Sequence, residues 1–373
     1  MSSPHSLSTR ATGSATHSRQ SPDSQRPEPR HHDTIDAAAN RKSSFGFWGM
    51  ILLTILSVGG LLIAWNVITN ANRDPDQIEP PAAVVIPAQY DADRAMAYLK
   101  QLCELGPRPS GSEAMIRQQQ MLTEFFEARG ATVSLQSFQT RHPEDGSPLT
   151  MSNLIATWHP ERPKRYLLCA HYDTRPFPDS DPVNPRGTFI GANDGASGTA
   201  GLMELSHQLG DLPSDVGVDI VLFDGEEFVW KYGRDKYFLG STYFAEQYRQ
   251  SPPPVPYQSG ILLDMIGDRE LKIYYELNSL RFAKRQCESL WNTAKRLRVT
   301  AFVPRSRHKI DDDHIPLNNI AGIPTLDIID FDYPRPGIGV QSYWHTEQDI
   351  PANCSGQSIA AVVWVVHQWL KEQ

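Results

Sequence analysis

The stretch Arg165-Tyr166-Leu167-Leu168-Cys169-Ala170 leads directly into His171-Tyr172-Asp173. A mostly apolar run of strand length thus ends in an imidazole and a carboxylate. Asp219-Ile220-Val221-Leu222-Phe223, Ile261-Leu262-Leu263 and Thr325-Leu326-Asp327-Ile328-Ile329 have the same character. Between and after them, residues 200–209, 281–297 and 355–371 carry apolar side chains at helical spacing. Continuous apolar strands alternating with helices predict an α/β domain, with a central, mostly parallel twisted sheet flanked by helices on both faces. In such folds ligands bind beyond the carboxyl ends of the strands.

Those ends are where the chemistry-bearing residues fall. His171 and Asp173 follow the first strand, Glu226 and Glu227 the second, and Asp264 the third. Asp194 lies in Gly191-Ala192-Asn193-Asp194-Gly195-Ala196-Ser197-Gly198, a glycine-rich turn before a helix, and His345 lies in Tyr343-Trp344-His345-Thr346. A lone Asp in such a turn is usually a turn former or helix cap, and a lone loop His is usually surface. Recurrence at successive strand ends changes that reading. Acids gathered at one sheet edge repel each other, and a shared cation relieves the repulsion. Oxygen and nitrogen donors without thiolate suit zinc, with three protein ligands and an open position for substrate.

The rest of the chain sets the setting. Among 373 residues, 35 Lys+Arg face 43 Asp+Glu, a net charge of −8, and the pI is about 5.8, which excludes the basic footprint of a nucleic-acid binder. Four scattered cysteines (Cys103, Cys169, Cys287, Cys354) make neither a disulfide scaffold nor a zinc knuckle. Residues 1–43, rich in Ser, Pro, Arg, Gln and His, cannot bury enough apolar surface to offset ordering entropy and are expected to be disordered. Residues 45–68 hold no charge at all and have Trp48 and Trp65 near their ends. Roughly 20 apolar helical residues cross a bilayer core, so a transmembrane helix is expected within 44–69. A cleaved signal peptide fits less well, given the long preceding tail. Arg41 and Lys42 abut its N-terminal side, while Arg73 sits among Asp74, Asp76 and Glu79; the bias predicts a cytoplasmic N-terminus and an extracytoplasmic domain. Residues 70–88, with Pro75, Pro80, Pro81 and Pro87, read as an extended linker, and 89–373 as one domain.

Within that domain, Ala170-His171-Tyr172-Asp173, Gly191-Ala192-Asn193-Asp194, Phe223-Asp224-Gly225-Glu226-Glu227, Leu263-Asp264-Met265-Ile266-Gly267, Asp312-Asp313-His314-Ile315-Pro316 and Trp344-His345-Thr346 occur in that order. Together they resemble the glutaminyl-peptide cyclotransferases, which share the fold of the M28-type zinc aminopeptidases. The resemblance implies that the 89–373 domain is catalytic. It implies one zinc held by Asp194, Glu227 and His345, and Glu226 as general acid/base. It further implies a hydrogen-bonded pair of carboxylates, Asp264 and Asp312, near the substrate nitrogen. Trp344 would wall the pocket for an N-terminal glutamine. The implied reaction converts that glutamine of a peptide or protein to pyroglutamate with release of ammonia.

The alternative within the resemblance is an M28-type aminopeptidase, in which His171 and Asp264 would help hold a second zinc. Asp312, Trp344 and the 12 residues between Glu227 and Gly240 favour the cyclase; a catalytically dead binding domain is a third class, disfavoured because every implied ligand and the base are present. Tyr232 falls where the family often has a pocket tryptophan and Trp230 lies two residues earlier, so either ring could line the pocket. Asp327 stands where animal cyclases carry a histidine. His314 reads as structural, and Asp173 as a partner orienting His171.

Overall fold

The computed structural model describes residues 85–331 and 343–373. The uncharged stretch 45–68, the tail and most of the linker lie outside the described residues; among the described residues no helix is long and apolar enough to cross a membrane.

The elements run α1 (Ala92–Glu104), α2 (Glu113–Glu127), β1 (Thr132–Arg141), β2 (Pro148–Trp158), β3 (Lys164–His171), α3 (Ala196–Ser206), β4 (Val216–Phe223), α4 (Leu239–Gln250) and β5 (Tyr257–Asp264), then β6 (Ile273–Tyr275), α5 (Leu277–Phe282), α6 (Lys284–Leu297), β7 (Phe302–Ser306), β8 (Thr325–Ile329) and α7 (Gly356–Lys371). Caps mark the first helices: Asp91 and Ser112 accept from the backbone N–H groups of Arg94 and Met115.

The main sheet has the order β1-β2-β4-β3-β5-β8. β4, β3, β5 and β8 are parallel, whereas β1 pairs with β2, and β2 with β4, antiparallel. The sheet is therefore mixed: its parallel half is the one expected, and the long β1–β2 hairpin is added at one edge. Alternation along β3 shows why the parallel strands read as unbroken apolar runs. Tyr166, Leu168 and Ala170 enter the large core, while Leu167 and Cys169 face a smaller one with Phe223, Phe244 and Leu262. Both faces are covered, as buried parallel strands require.

Helix α3 is buried along its whole length. It starts at Ala196, earlier than the expected 200, so Ser197 and Gly198 belong to its first turn. A Cβ at Gly198 would lie 2.2 Å from the Leu263 carbonyl oxygen; only glycine lets the helix press this closely onto β5. The single helix expected over 281–297 is two, broken at Ala283, whose φ of −133° is not helical. The consequence for function is geometric. His171 and Asp264 are the last residues of β3 and β5, and Asp224 follows β4, so these side chains and their loops share one edge of the sheet.

Candidate active site

At that edge a cavity of about 360 Å³ is lined by Asp194, Glu226, Glu227, Asp264, Asp312 and His345, with Trp344, Phe331, Tyr237 and Tyr232 among its aromatic walls. Glu226 and Glu227 leave β4 through Asp224-Gly225. Asp173 holds their backbone, accepting from the N–H of Glu226 at 3.2 Å and of Glu227 at 3.1 Å. Its expected partner was His171, but His171 Nδ1 is 3.7 Å away and makes no hydrogen bond. Two successive amide donors outcompete one imidazole for this carboxylate. Asp194 is held by Asp349, which accepts from the N–H groups of Asn193 (2.7 Å) and Asp194 (3.1 Å). Gly195 follows at φ 93° with the Asp173 carbonyl oxygen 2.6 Å from where a Cβ would stand, so the turn can close only on glycine.

Donor atoms of Asp194, Glu227 and His345 lie within 4.8 Å of one another, and all three residues are buried. His345 Nε2 is 2.9 Å from Glu227 Oε1 and 3.4 Å from Asp194 Oδ2. Glu227 Oε2 is buried without a hydrogen-bond partner. Two carboxylates and an imidazole, with one buried carboxylate oxygen left without a hydrogen bond, are a donor set that fits zinc. Burial would lower the pKa of His345, but the Glu227 charge and hydrogen bonds to Asp179, Asp194 and Glu227 push it up to about 10. Burial would likewise raise that of Asp194; contacts from His171 and His345 instead hold it below the usual carboxylate range.

A second group shares Asp194. His171 Nε2 stands 3.1 Å from Asp194 Oδ1 and 3.2 Å from Asp264 Oδ1, and these three also form a possible ligand set. The expected pair, Asp264 and Asp312, lines this one cavity. Asp264 faces His171, and Asp312 Oδ1 accepts from the Asp313 N–H at 2.5 Å while its Oδ2 has no partner. Burial and the Asp264 charge push the Asp312 carboxyl up to about 7. Burial and the Glu227 charge raise Glu226 well above the ordinary value; its carboxylate is 3.9 Å from His171 Nδ1.

Trp344 stacks on His345 with ring centroids 3.6 Å apart and meets Phe331 edge-on at 5.3 Å. Of the two rings left open by the sequence, Tyr232 lines the cavity at its mouth, 82% exposed. Trp230 does not line it: the indole packs edge-on against Phe177 at 5.2 Å and at a tilt against His142 at 4.6 Å. His314 is fully buried, 3.4 Å from Glu276 and 3.9 Å from Asp327. Three of the non-glycine residues with positive φ, Phe238 (59°), Met265 (47°) and His345 (56°), line this one cavity. Each such conformation costs about 1–3 kcal/mol, and such strain gathers where side-chain aim matters. Sequence reasoning missed Tyr237, Phe238, Met265, Ile310 and Phe331 as lining residues, and Arg175, Asp179 and Asp349 as supports.

The Peptidase family M28 pattern matches residues 153–370, more than half of the chain. The chain belongs to Peptidase family M28. Among solved M28-like structures, the glutaminyl cyclase of Fimbriiglobus ruber is 40% identical, with a TM-score of 0.72 over 76% of this chain and 96% of that one. A zinc-dependent exopeptidase from Parabacteroides distasonis is 33% identical, with a TM-score of 0.68 over 78% of this chain and 100% of that one. Among curated relatives, the glutaminyl-peptide cyclotransferase of Bothrops jararaca is 29% identical over 240 residues, covering 56% of this M28 chain. The match spans 62% of the length of that relative.

Proposed function

We propose that this M28 chain is a zinc-dependent glutaminyl-peptide cyclotransferase acting on peptides and proteins with N-terminal glutamine. The observation that carries the reading is the convergence of Asp194, Glu227 and His345 beside Glu226, in a cavity walled by Trp344. Likeness at 40% identity to a glutaminyl cyclase that this chain covers almost completely supports it.

Asp194, Glu227 and His345 would hold one zinc. When bound, that ion polarises the glutamine γ-carbonyl and stabilises charge developing on its oxygen. Glu226 takes a proton from the attacking α-amine and delivers it to the departing nitrogen. The new C–N bond closes a five-membered lactam as the amide C–N bond breaks and ammonia leaves. A carboxyl whose pKa burial has raised is suited to both transfers. Asp264 and Asp312 supply the acidic side of the cavity, where the α-amine binds. Trp344 packs against the glutamine side chain, and the aromatic walls keep out water that would hydrolyse the same bond.

A two-zinc M28 aminopeptidase is the second reading, favoured by the His171, Asp194 and Asp264 group. It does not account for Asp312, a further carboxylate in the lining beside that group, whose repulsion toward Asp264 disfavours ionising both at once.

The domain reading is a disordered tail over 1–43, a membrane helix within 44–69, a linker over 70–88 and the catalytic domain over 89–373. The uncharged run 45–68 supports the helix, and Arg41 and Lys42 support a cytoplasmic N-terminus with the domain outside. One experiment tests function and anchor together. Lysed cells producing the full chain are separated into membrane and soluble fractions, and each is given a Gln-initiated peptide and a leucine-amide chromogen. Ammonia release without amide cleavage, in the membrane fraction, is expected. Amide cleavage without ammonia release contradicts the cyclase, and activity confined to the soluble fraction contradicts the anchor.

A further inference from the structure

Arg175 lies in the loop after β3, four residues beyond His171, and its side chain is 1% exposed. A buried guanidinium needs partners for its donors. Nη1 donates to Glu227 Oε1 at 2.7 Å, while Nε and Nη2 donate as a fork to the two oxygens of Asp179 at 3.1 and 2.8 Å. Asp179 Oδ1 in turn stands 3.4 Å from His345 Nδ1. The same loop is tied to the His345 segment by backbone, with Ser180 N–H donating to the His345 carbonyl at 3.1 Å, and by Asp181, which accepts from the Glu347 N–H at 3.0 Å. One short loop therefore reaches two of the three residues proposed to hold zinc, which lie 118 residues apart in the sequence.

We infer that Arg175 and Asp179 are positioning residues that set the binding-competent form of Glu227 and His345. The inference rests on the reading that these residues and Asp194 hold a metal. A carboxylate facing Nδ1 keeps the proton of a neutral imidazole on that nitrogen, leaving the Nε2 lone pair directed at the cluster. Arg175 occupies Glu227 Oε1 and leaves Oε2 as the oxygen without a hydrogen bond. The pair adds no net charge, since guanidinium and carboxylate cancel, so its action is orientation rather than attraction. Lysine could not reproduce it, because a point charge cannot fork to Asp179 and reach Glu227 at once.

The test is zinc affinity of the full chain, purified in mild detergent, by competition with a fluorescent chelator. Melting of each metal-free variant is recorded alongside. Asp179→Asn is the primary variant: the side chain of Asp179 is 41% exposed, so its loss leaves the core intact. Zinc affinity is expected to fall roughly 10- to 100-fold, the usual effect of losing such an outer partner, with the metal-free variant still melting cooperatively, lowered only by the weakened Arg175 fork. Arg175→Met should fall as far, and Arg175→Lys should recover only part. With cobalt in place of zinc, the visible bands of Asp179→Asn should shift. Folded variants that bind zinc as tightly as the unaltered chain overturn the clamp and leave the metal site standing. If the unaltered chain binds no zinc, or His345→Ala binds it equally well, the metal reading falls and the clamp with it.

Discussion

Glu226→Gln is expected to keep its zinc and lose its turnover. The substitution is nearly isosteric, and the backbone hydrogen bond from residue 226 to Asp173 does not involve the side chain. Glu227, the adjacent candidate ligand, is held through its own N–H to Asp173 and through Arg175. What disappears is a group able to take and return a proton. General acid/base catalysis contributes typically about 10²–10⁴ in rate, or about 2.7–5.5 kcal/mol of transition-state stabilisation. Steady-state kinetics on a Gln-initiated peptide should therefore show kcat lower by that factor, KM little altered and one zinc still present by elemental analysis. Turnover within a fewfold of the unaltered protein would remove Glu226 from its proposed role.

The second large effect is expected on removing the metal, by chelation or by His345→Ala. The carbonyl then loses its electrophilic partner, and loss of even a single stabilising donor at a developing oxyanion costs about 10²–10³ in kcat. Activity should fall by at least that factor and return when zinc is restored to the chelated protein. It should not return for His345→Ala at the same zinc concentration. Stability should move in the same direction, because a ligand present at about a thousand times its Kd stabilises the native state by about 4 kcal/mol. Calorimetry of zinc-loaded, chelated and reloaded protein checks this. Full activity after exhaustive chelation, with zinc shown to be absent, would sink the metal-dependent mechanism.

The parts of the fold that position the cavity were the legible ones, for a physical reason. β3, β4, β5 and β8 are buried on both faces, so their composition is mostly apolar and the acids and imidazoles clustered at their ends stand out. The β1–β2 hairpin escaped notice because β1 has no fully buried residue; its polar residues alternate with half-buried ones and read as loop. α3 was begun too late because its first turn carries Ser197 and Gly198, weaker helix formers, with Gly198 allowing the close approach to β5.

The site divides in the same way. Asp194, Glu226, Glu227, Asp264 and His345 could be found because each sits beside a strand end or in a loop or distinctive turn, whereas Asp312 was implied only by the family resemblance; the structure gathers all six around one cavity. Trp230 could not be told from Tyr232 by counting. The segment after Glu227 turns through Gly233 and Phe238, both at positive φ, and such reversals rotate side chains unpredictably. Arg175 and Asp179 were invisible because Arg175-Pro176-Phe177-Pro178-Asp179 has the composition of an ordinary turn. Their meaning depends on Glu227 and His345, distant in sequence and adjacent only once folded.

The central claim is that one ion sits among Asp194, Glu227 and His345. Diffraction from crystals of the zinc-loaded protein, recorded on both sides of the zinc absorption edge, tests it directly. The account predicts a single anomalous peak within bonding distance of those three side chains, and none between His171 and Asp264. No peak among the three, or a pair of peaks bridged by Asp194, would contradict it.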